Sequence, residues 1–372
     1  MNKGFLFLVL FVISCGSSGG SSDPVVSEDP RKRVLVTTDL GGDPDDTQSL
    51  VHLLLYSDIL NLEGIVVGWP TGNFGLGLAT IAEYEKDLPN LSFHSGDYPT
   101  PDYLRSILKQ GSTRKFNGTN ASEGSTHIIA QALKPSNKKL HISVWGSITD
   151  VAQAIHDAPE IKQFITVTSS GGWNTRQDEE SRAYLFNNHP DLVWVEQDST
   201  GRGIYVTGLN DKSRYGNVGF VSQIVRPAGN LGEFYYQQSR RINVNAFGIK
   251  MGDTPTWFIP VYSNVYENLP VVAQSEPTAP SWGGRYCQPV PNRATYWNDC
   301  PHKEWIIGGY KGTYTVAEHR QAILNDWELR LLRTYPPEVA KAKLMQYIFS
   351  HAMEIRSFKP FKPFKPVELK RK

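Results

Sequence analysis

Short runs of Val, Ile and Leu recur along the chain, each followed by a segment of helical period, and this alternation limits the fold more than any other feature. RVLVTTD (33–39), LEGIVVG (62–68), LHISVWG (140–146) and FITVTSS (164–170) read as buried strands. Residues 46–56, the stretch GLATIAEYEKDL, residues 123–133 with Ser122 at their start, and residues 150–156 read as the helices between them. A short strand is expected near 91–93 and another in DLVWVEQ (191–197). Such alternation predicts an α/β fold, a mostly parallel sheet with helices on both faces. At 372 residues the chain has room for one large core, expected over 32–355. Beyond about Gly248 the text is rich in Pro, Gly and aromatics and is expected to wrap that domain, with helices returning at 317–333 and 337–355.

Ligands of open parallel sheets sit beyond the carboxyl ends of the strands. Polar clusters follow the predicted strands there, at 39–46, 68–73, 146–149 and 169–174. The first holds Asp39, Asp43, Asp45 and Asp46 within eight residues. Four carboxylates on one tight loop cannot all ionise without a compensating charge. A hard divalent cation supplies it: oxygen ligands select Ca²⁺, or Mg²⁺, and Gly41, Gly42 and Pro44 let the loop curl around it. Asp45 and Asp46 also suit the N-terminus of the following helix, so some of the four can be caps. Asp45, Asn73, Asn174, Asp178 and Arg285 are the candidate substrate contacts, Asn174 standing beside Trp173, which offers a stacking face.

Charge is nearly balanced, 38 Lys+Arg against 37 Asp+Glu, which argues against a nucleic-acid partner. Nine Trp and 17 Tyr point instead toward carbohydrate, on whose rings these side chains stack. Lys3, an apolar stretch from Gly4 to Ile13 and the sequence Val12-Ile13-Ser14-Cys15 form a targeting segment too short to span a bilayer. The small residue before Cys15 is similar to a lipoprotein cleavage box; an ordinary secretory signal is the alternative. Residues 1–15 are therefore expected to be a lipoprotein signal, with Cys15 lipidated, and 16–31 a Gly/Ser tether. The protein is then exported and held on a bacterial membrane, in the periplasm or at the cell surface. In that setting Cys287 and Cys300 are a possible disulfide. Residues 356–372, with Pro at every third position through FKPFKPFKP, read as a basic low-complexity tail.

VLVTTDLGGDPDD before an apolar helix, followed by LEGIVVG, resembles the opening of the nucleoside hydrolases. VWGSITDVAQAI (144–155) is similar to that family's G-x-x-T-N-V-A segment, and MGDTPTW (251–257) to its late Asp-Pro segment. With SWGGRY, the text from 33 to 286 resembles most a nucleoside-hydrolase-like domain of exported cellulose-binding proteins. The resemblance implies calcium held by Asp39, Asp43 and Asp46 with the Thr149 carbonyl and Asp253. It also implies a cation-held water attacking a sugar's anomeric carbon, Asp43 or Asp39 acting as base, and possible homo-oligomers. The spacing departs from the family: aligned on the final pair, Asp39, Asp45 and Asp46 match, but Gly41 stands where the presumed base belongs. The expected function is an exported metal-dependent glycosidase acting on a saccharide or glycoside. The alternative is a carbohydrate-binding lipoprotein that keeps the scaffold without catalysis.

Overall fold

The computed structural model describes residues 29–240, 248–261 and 276–355. Its strands are β1 (Lys32–Thr38), β2 (Leu60–Val67), β3 (Leu108–Gln110), β4 (Leu140–Val144), β5 (Ile165–Ser170), β6 (Trp194–Gln197), β7 (Tyr286–Cys287) and β8 (Tyr296–Asp299). They form one sheet in the order β3-β2-β1-β4-β5-β6-β8-β7. Every neighbouring pair is parallel except β7 with β8. The signal and tether (apart from the last residues of the tether), Cys15 and the tail lie outside the described residues.

Strand pleating sends alternate side chains to opposite faces, and in β1 both faces carry apolar residues. In β1, Val34 and Val36 join one core with Leu50, Leu53 and Leu54 of the Pro44–Leu55 helix. Leu35 joins the other, with Ile128 of the Glu123–Ala132 helix and Val151 of the Thr149–Asp157 helix. Each fully buried Leu or Val contributes about 1.5–3 kcal/mol of transfer free energy, which is why strands covered on two sides read as unbroken apolar runs.

Two expectations change. Residues 91–93 form no strand; they finish the 21-residue helix Phe74–His94. Leu76, Thr80, Tyr84, Asp87 and Leu91 are buried along it at helical spacing, and that packing carries the helix past Pro89. The edge strand β3 lies further on instead. The Pro-rich text after 248 does more than wrap: it supplies the helix Thr254–Val261 and extends the sheet with β7 and β8. Cys287 and Cys300 are disulfide-bonded, tying β7 to the end of β8.

The order of the strands locates the site. From β1 the chain moves outward to β2 and β3, then returns to place β4 on the other flank of β1. The connections leave β1 and β4 in opposite directions, opening a crevice beyond their carboxyl ends. Asp39 directly follows β1. Gly146, just after β4, packs so closely that a Cβ there would lie 2.9 Å from the Asp39 Cβ.

The helix Thr254–Val261, which follows Asp253, is fastened under this crevice. Thr256 Oγ1 donates to the Asp253 carbonyl (2.5 Å), and Trp145 Nε1 donates to Thr256 Oγ1 (3.0 Å). His141 on β4 sits between Thr166 Oγ1 and the Thr256 carbonyl, each 3.0 Å from a ring nitrogen. Burial lowers the His141 pKa from 6.5 to about 4, its bond to the Thr256 carbonyl opposing the shift. The unfolded chain therefore binds the extra proton between those values, so the contribution is complete above pH 6.5 and is lost as pH falls toward 4. The loss amounts to about 3 kcal/mol. Urea unfolding of wild type and His141→Gln at pH 7 and pH 4.5 checks this: the substitution is expected to shrink the difference between the two pH values.

Candidate functional site

One oxygen from each of Asp45, Asp46 and Asp253 lies within 4.8 Å of the other two. Asp45 and Asp46 open the Pro44–Leu55 helix, and Asp253 directly precedes the Thr254–Val261 helix, so two helix N-termini face the group. Asp46 Oδ1 accepts from the Asp39 N–H (3.2 Å) and from the Thr38 hydroxyl. Asp39 shares a further hydrogen bond with Asp46. Burial first, then the Asp46 charge, holds the Asp39 carboxyl well above the ordinary range. Asp253 is raised likewise, by burial and by the charges of Asp45, Asp46 and Asp39. Burial and the Asp46 charge push Asp45 up to about 7, with Arg202 opposing.

Buried carboxylates normally find partners. Here Asp45 Oδ1 and Asp253 Oδ2 are buried with none. Three carboxylates, two of them with an orphaned oxygen, fit a hard divalent cation, for which all-oxygen donors are the usual set.

The group opens into a cavity of about 420 Å³. Beside Asp45 and Asp253 it is lined by Asp43, Asn174, Gln197, Asp198, Arg202 and Lys250, among others, and by Trp173, an indole 64% exposed. Arg202 lies over the Tyr310 ring, 4.7 Å from its centroid, and donates to the Tyr205 hydroxyl (3.1 Å). Asn174 Nδ2 donates to the Ser170 carbonyl (3.0 Å) and the Trp145 carbonyl, joining the ends of β5 and β4. Asp198 accepts from the Gly172 N–H (2.9 Å), and burial together with Glu196 raises its pKa.

Several expected contacts lie elsewhere. Asp43 lines the cavity but stands outside the group of three acids; its carboxylate pairs with Lys250. Asp178 is fully buried, accepting from the Phe116 N–H (2.8 Å), the Thr149 hydroxyl (2.5 Å) and the Ser181 N–H (3.3 Å). It is a structural cap rather than a substrate contact, because no surface of it is open to a ligand. Thr149 begins its helix at the same rim, its hydroxyl committed to that bond. Asn73 Oδ1 caps the Phe74–His94 helix by accepting from the Leu76 N–H (3.1 Å), so a sugar would have to displace that bond. Arg285 Nε donates to the Thr278 carbonyl (2.8 Å), and the guanidinium lies over Trp305, which ties it to its own loop.

Gln197, Asp198, Arg202, Tyr205 and Lys250 were not anticipated. Gln197 and Asp198 end and follow the strand in VWVEQD, where the rule about carboxyl ends of strands applies as it does to β1. Lys250 stands three residues before Asp253.

The chain belongs to the family described as cellulose-binding Sde182, nucleoside hydrolase-like domain, which matches residues 33–286. Among solved structures it is similar to a nucleoside hydrolase-related hypothetical protein from Saccharophagus degradans that is associated with carbohydrate metabolism. The two are 24% identical with a TM-score of 0.63, over 82% of this chain and 72% of that one. A purine-preferring ribonucleoside hydrolase from Gardnerella vaginalis aligns at 16% identity and a TM-score of 0.45, over 84% and 100% of the two chains. The first of these likenesses speaks for the α/β fold. No curated protein matches the chain.

Proposed function

We propose that the protein is a divalent-cation-dependent glycosidase that hydrolyses an N- or O-glycosidic bond of a saccharide or glycoside. The observation that carries the reading is the pair of orphaned buried oxygens, Asp45 Oδ1 and Asp253 Oδ2, beside a cavity that also presents an exposed indole. Asp45, Asp46 and Asp253 would hold Ca²⁺, or Mg²⁺, with the Thr149 carbonyl the further ligand that the family resemblance implies. When bound, such an ion supplies Lewis-acid polarisation and a grip on vicinal hydroxyls.

The chain's own residues do the rest. Asp39, hydrogen-bonded to Asp46, fixes that carboxylate's orientation. Asp43 is half exposed at the cavity and takes the proton of the attacking water. The water oxygen bonds to the anomeric carbon as the glycosidic bond breaks through an oxocarbenium-like transition state. Asp198, whose surroundings favour its protonated form, delivers a proton to the departing oxygen or nitrogen. Trp173 stacks on a sugar face.

Calcium titrated calorimetrically into chelator-stripped protein, and reducing-sugar or nucleobase release from a panel of cello-oligosaccharides and nucleosides, test the reading. No heat of binding and no release from any substrate would overturn it. A second reading, binding of carbohydrate without hydrolysis, is favoured by Gly41 standing where the related enzymes carry an aspartate and by the family's cellulose-binding description.

The reading includes export and a lipid anchor on Cys15. Cys15→Ser is expected to move the protein from the membrane fraction to the soluble fraction of its bacterium; an unchanged membrane fraction argues against the anchor.

A further inference from the structure

Gln197 ends β6, lines the cavity and is 2% exposed. Its main-chain carbonyl already accepts from the Gly171 N–H (2.5 Å), and its side-chain amide is the group with a vacant hydrogen-bonding position. One end of that amide is fixed. The Tyr286 hydroxyl lies 2.9 Å from Gln197 Oε1 and 2.7 Å from the Gly283 carbonyl. The other end, Nε2, is buried without a partner. A Cβ on Gly201 would stand 2.9 Å from that nitrogen and 2.3 Å from the Gly252 carbonyl, so the amide end sits close to the residue preceding Asp253.

The phenol has one proton and two acceptors. Donated to Gln197 Oε1, it leaves the NH₂ as the unpartnered end. Donated to Gly283, it requires the amide to turn and give an N–H to the phenol oxygen, and the amide oxygen then becomes the unpartnered end. Either arrangement leaves a buried polar group unsatisfied at the cavity wall, which is costly unless a ligand completes it. A sugar hydroxyl, being both donor and acceptor, completes either.

We infer that Gln197 is a specificity-determining residue that hydrogen-bonds a hydroxyl of the bound saccharide beside the acid group, and that Tyr286 is the positioning residue that orients it. The inference rests on the saccharide reading above and deepens it. A site that hydrogen-bonds a hydroxyl discriminates strongly, because a ligand lacking that group leaves the amide stranded.

The test uses the full chain loaded with Ca²⁺ and two calorimetric titrations, one of Ca²⁺ and one of cellopentaose. Gln197→Met keeps the side chain's length while removing its polar end. It is expected to lower cellopentaose affinity about 10-fold or more while leaving Ca²⁺ affinity within about 2-fold of wild type. Tyr286→Phe is expected to show the same pattern at a few-fold, and it carries the test if Gln197→Met does not fold. Wild-type cellopentaose affinity in both variants would overturn the inference alone. A large loss of Ca²⁺ affinity in Gln197→Met would make the amide oxygen a cation ligand and also overturn it. A wild type that binds Ca²⁺ but no cellopentaose removes the saccharide reading and this inference together, whereas one that binds neither removes the metal centre itself.

Discussion

Asp253→Asn is expected to weaken calcium binding by about 100-fold or more, since it takes a charged ligand from a site of three carboxylates, and at the same time to raise the melting temperature of the cation-free protein. The two effects share one cause. Asp253 is buried among Asp45, Asp46 and Asp39, whose charges and the loss of water hold its carboxyl well above the ordinary range. A carboxyl whose pKa is higher in the folded than in the unfolded chain destabilises the fold as pH rises past its unfolded value. An amide at the same position removes that repulsion at neutral pH. On the proposed function, bound calcium is expected to reverse the balance in wild type: at 100 times the dissociation constant a ligand adds about 2.7 kcal/mol to the folded state. Thermal melts with and without calcium should therefore show a large upward shift in wild type and almost none in Asp253→Asn. A purely structural carboxylate predicts the reverse pattern, a lower melting temperature in the variant and the same calcium response in both.

The position of this group was legible because it depends on strand ends. RVLVTTD packs apolar residues on both faces, and LHISVWG and FITVTSS are buried strands whose Leu140, Ile142, Val144, Ile165 and Val167 alternate with buried polar residues; the polar text just after each falls on one rim. Asp45, Asp46 and Asp253 come together there although about 200 residues separate them in sequence. Other placements needed the fold. Asp178 and Asn73 carry side chains that suit a ligand and a helix cap equally well, and only the fold shows which N–H groups they meet. Residues 91–93 look like a strand in isolation because the helix that holds them is specified by Leu76, Tyr84 and Leu91, over more than four turns. β8 and the edge strand β7 are short strands in Pro-rich text, held by the Cys287–Cys300 link and by the pairing of β8 with β6, which local periodicity does not reveal. Lys250 and Arg202 were missed because a lone basic residue has no pattern; their role follows from which carboxylates they face.

Asp43→Asn is expected to reduce turnover by about 10²–10⁴-fold, the usual contribution of a positioned general base, while calcium and saccharide affinities stay within a few-fold of wild type. The argument begins with Gly41. Its φ of +101° belongs to the left-handed region, and a Cβ there would lie 2.8 Å from the Asn73 Cβ. The loop path of this chain thus excludes a side chain at the position where the resemblance to the nucleoside hydrolases implies an aspartate. The carboxylate nearest to that place is Asp43, two residues on, which lines the same cavity as Asp45 and Asp253 and pairs with Lys250. Because Asp43 is not one of the three clustered acids, its loss should leave the cation in place and remove only proton transfer. Gly41→Asp added to Asp43→Asn should not restore activity, because the new side chain meets both the backbone strain and Asn73. Single-turnover release of reducing sugar or nucleobase, measured beside calorimetric binding of the same ligand, separates the outcomes. Equal saccharide binding in wild type and Asp43→Asn, with no release by either, would mean that the aspartate's move from 41 to 43 ended the chemistry and left a binding protein.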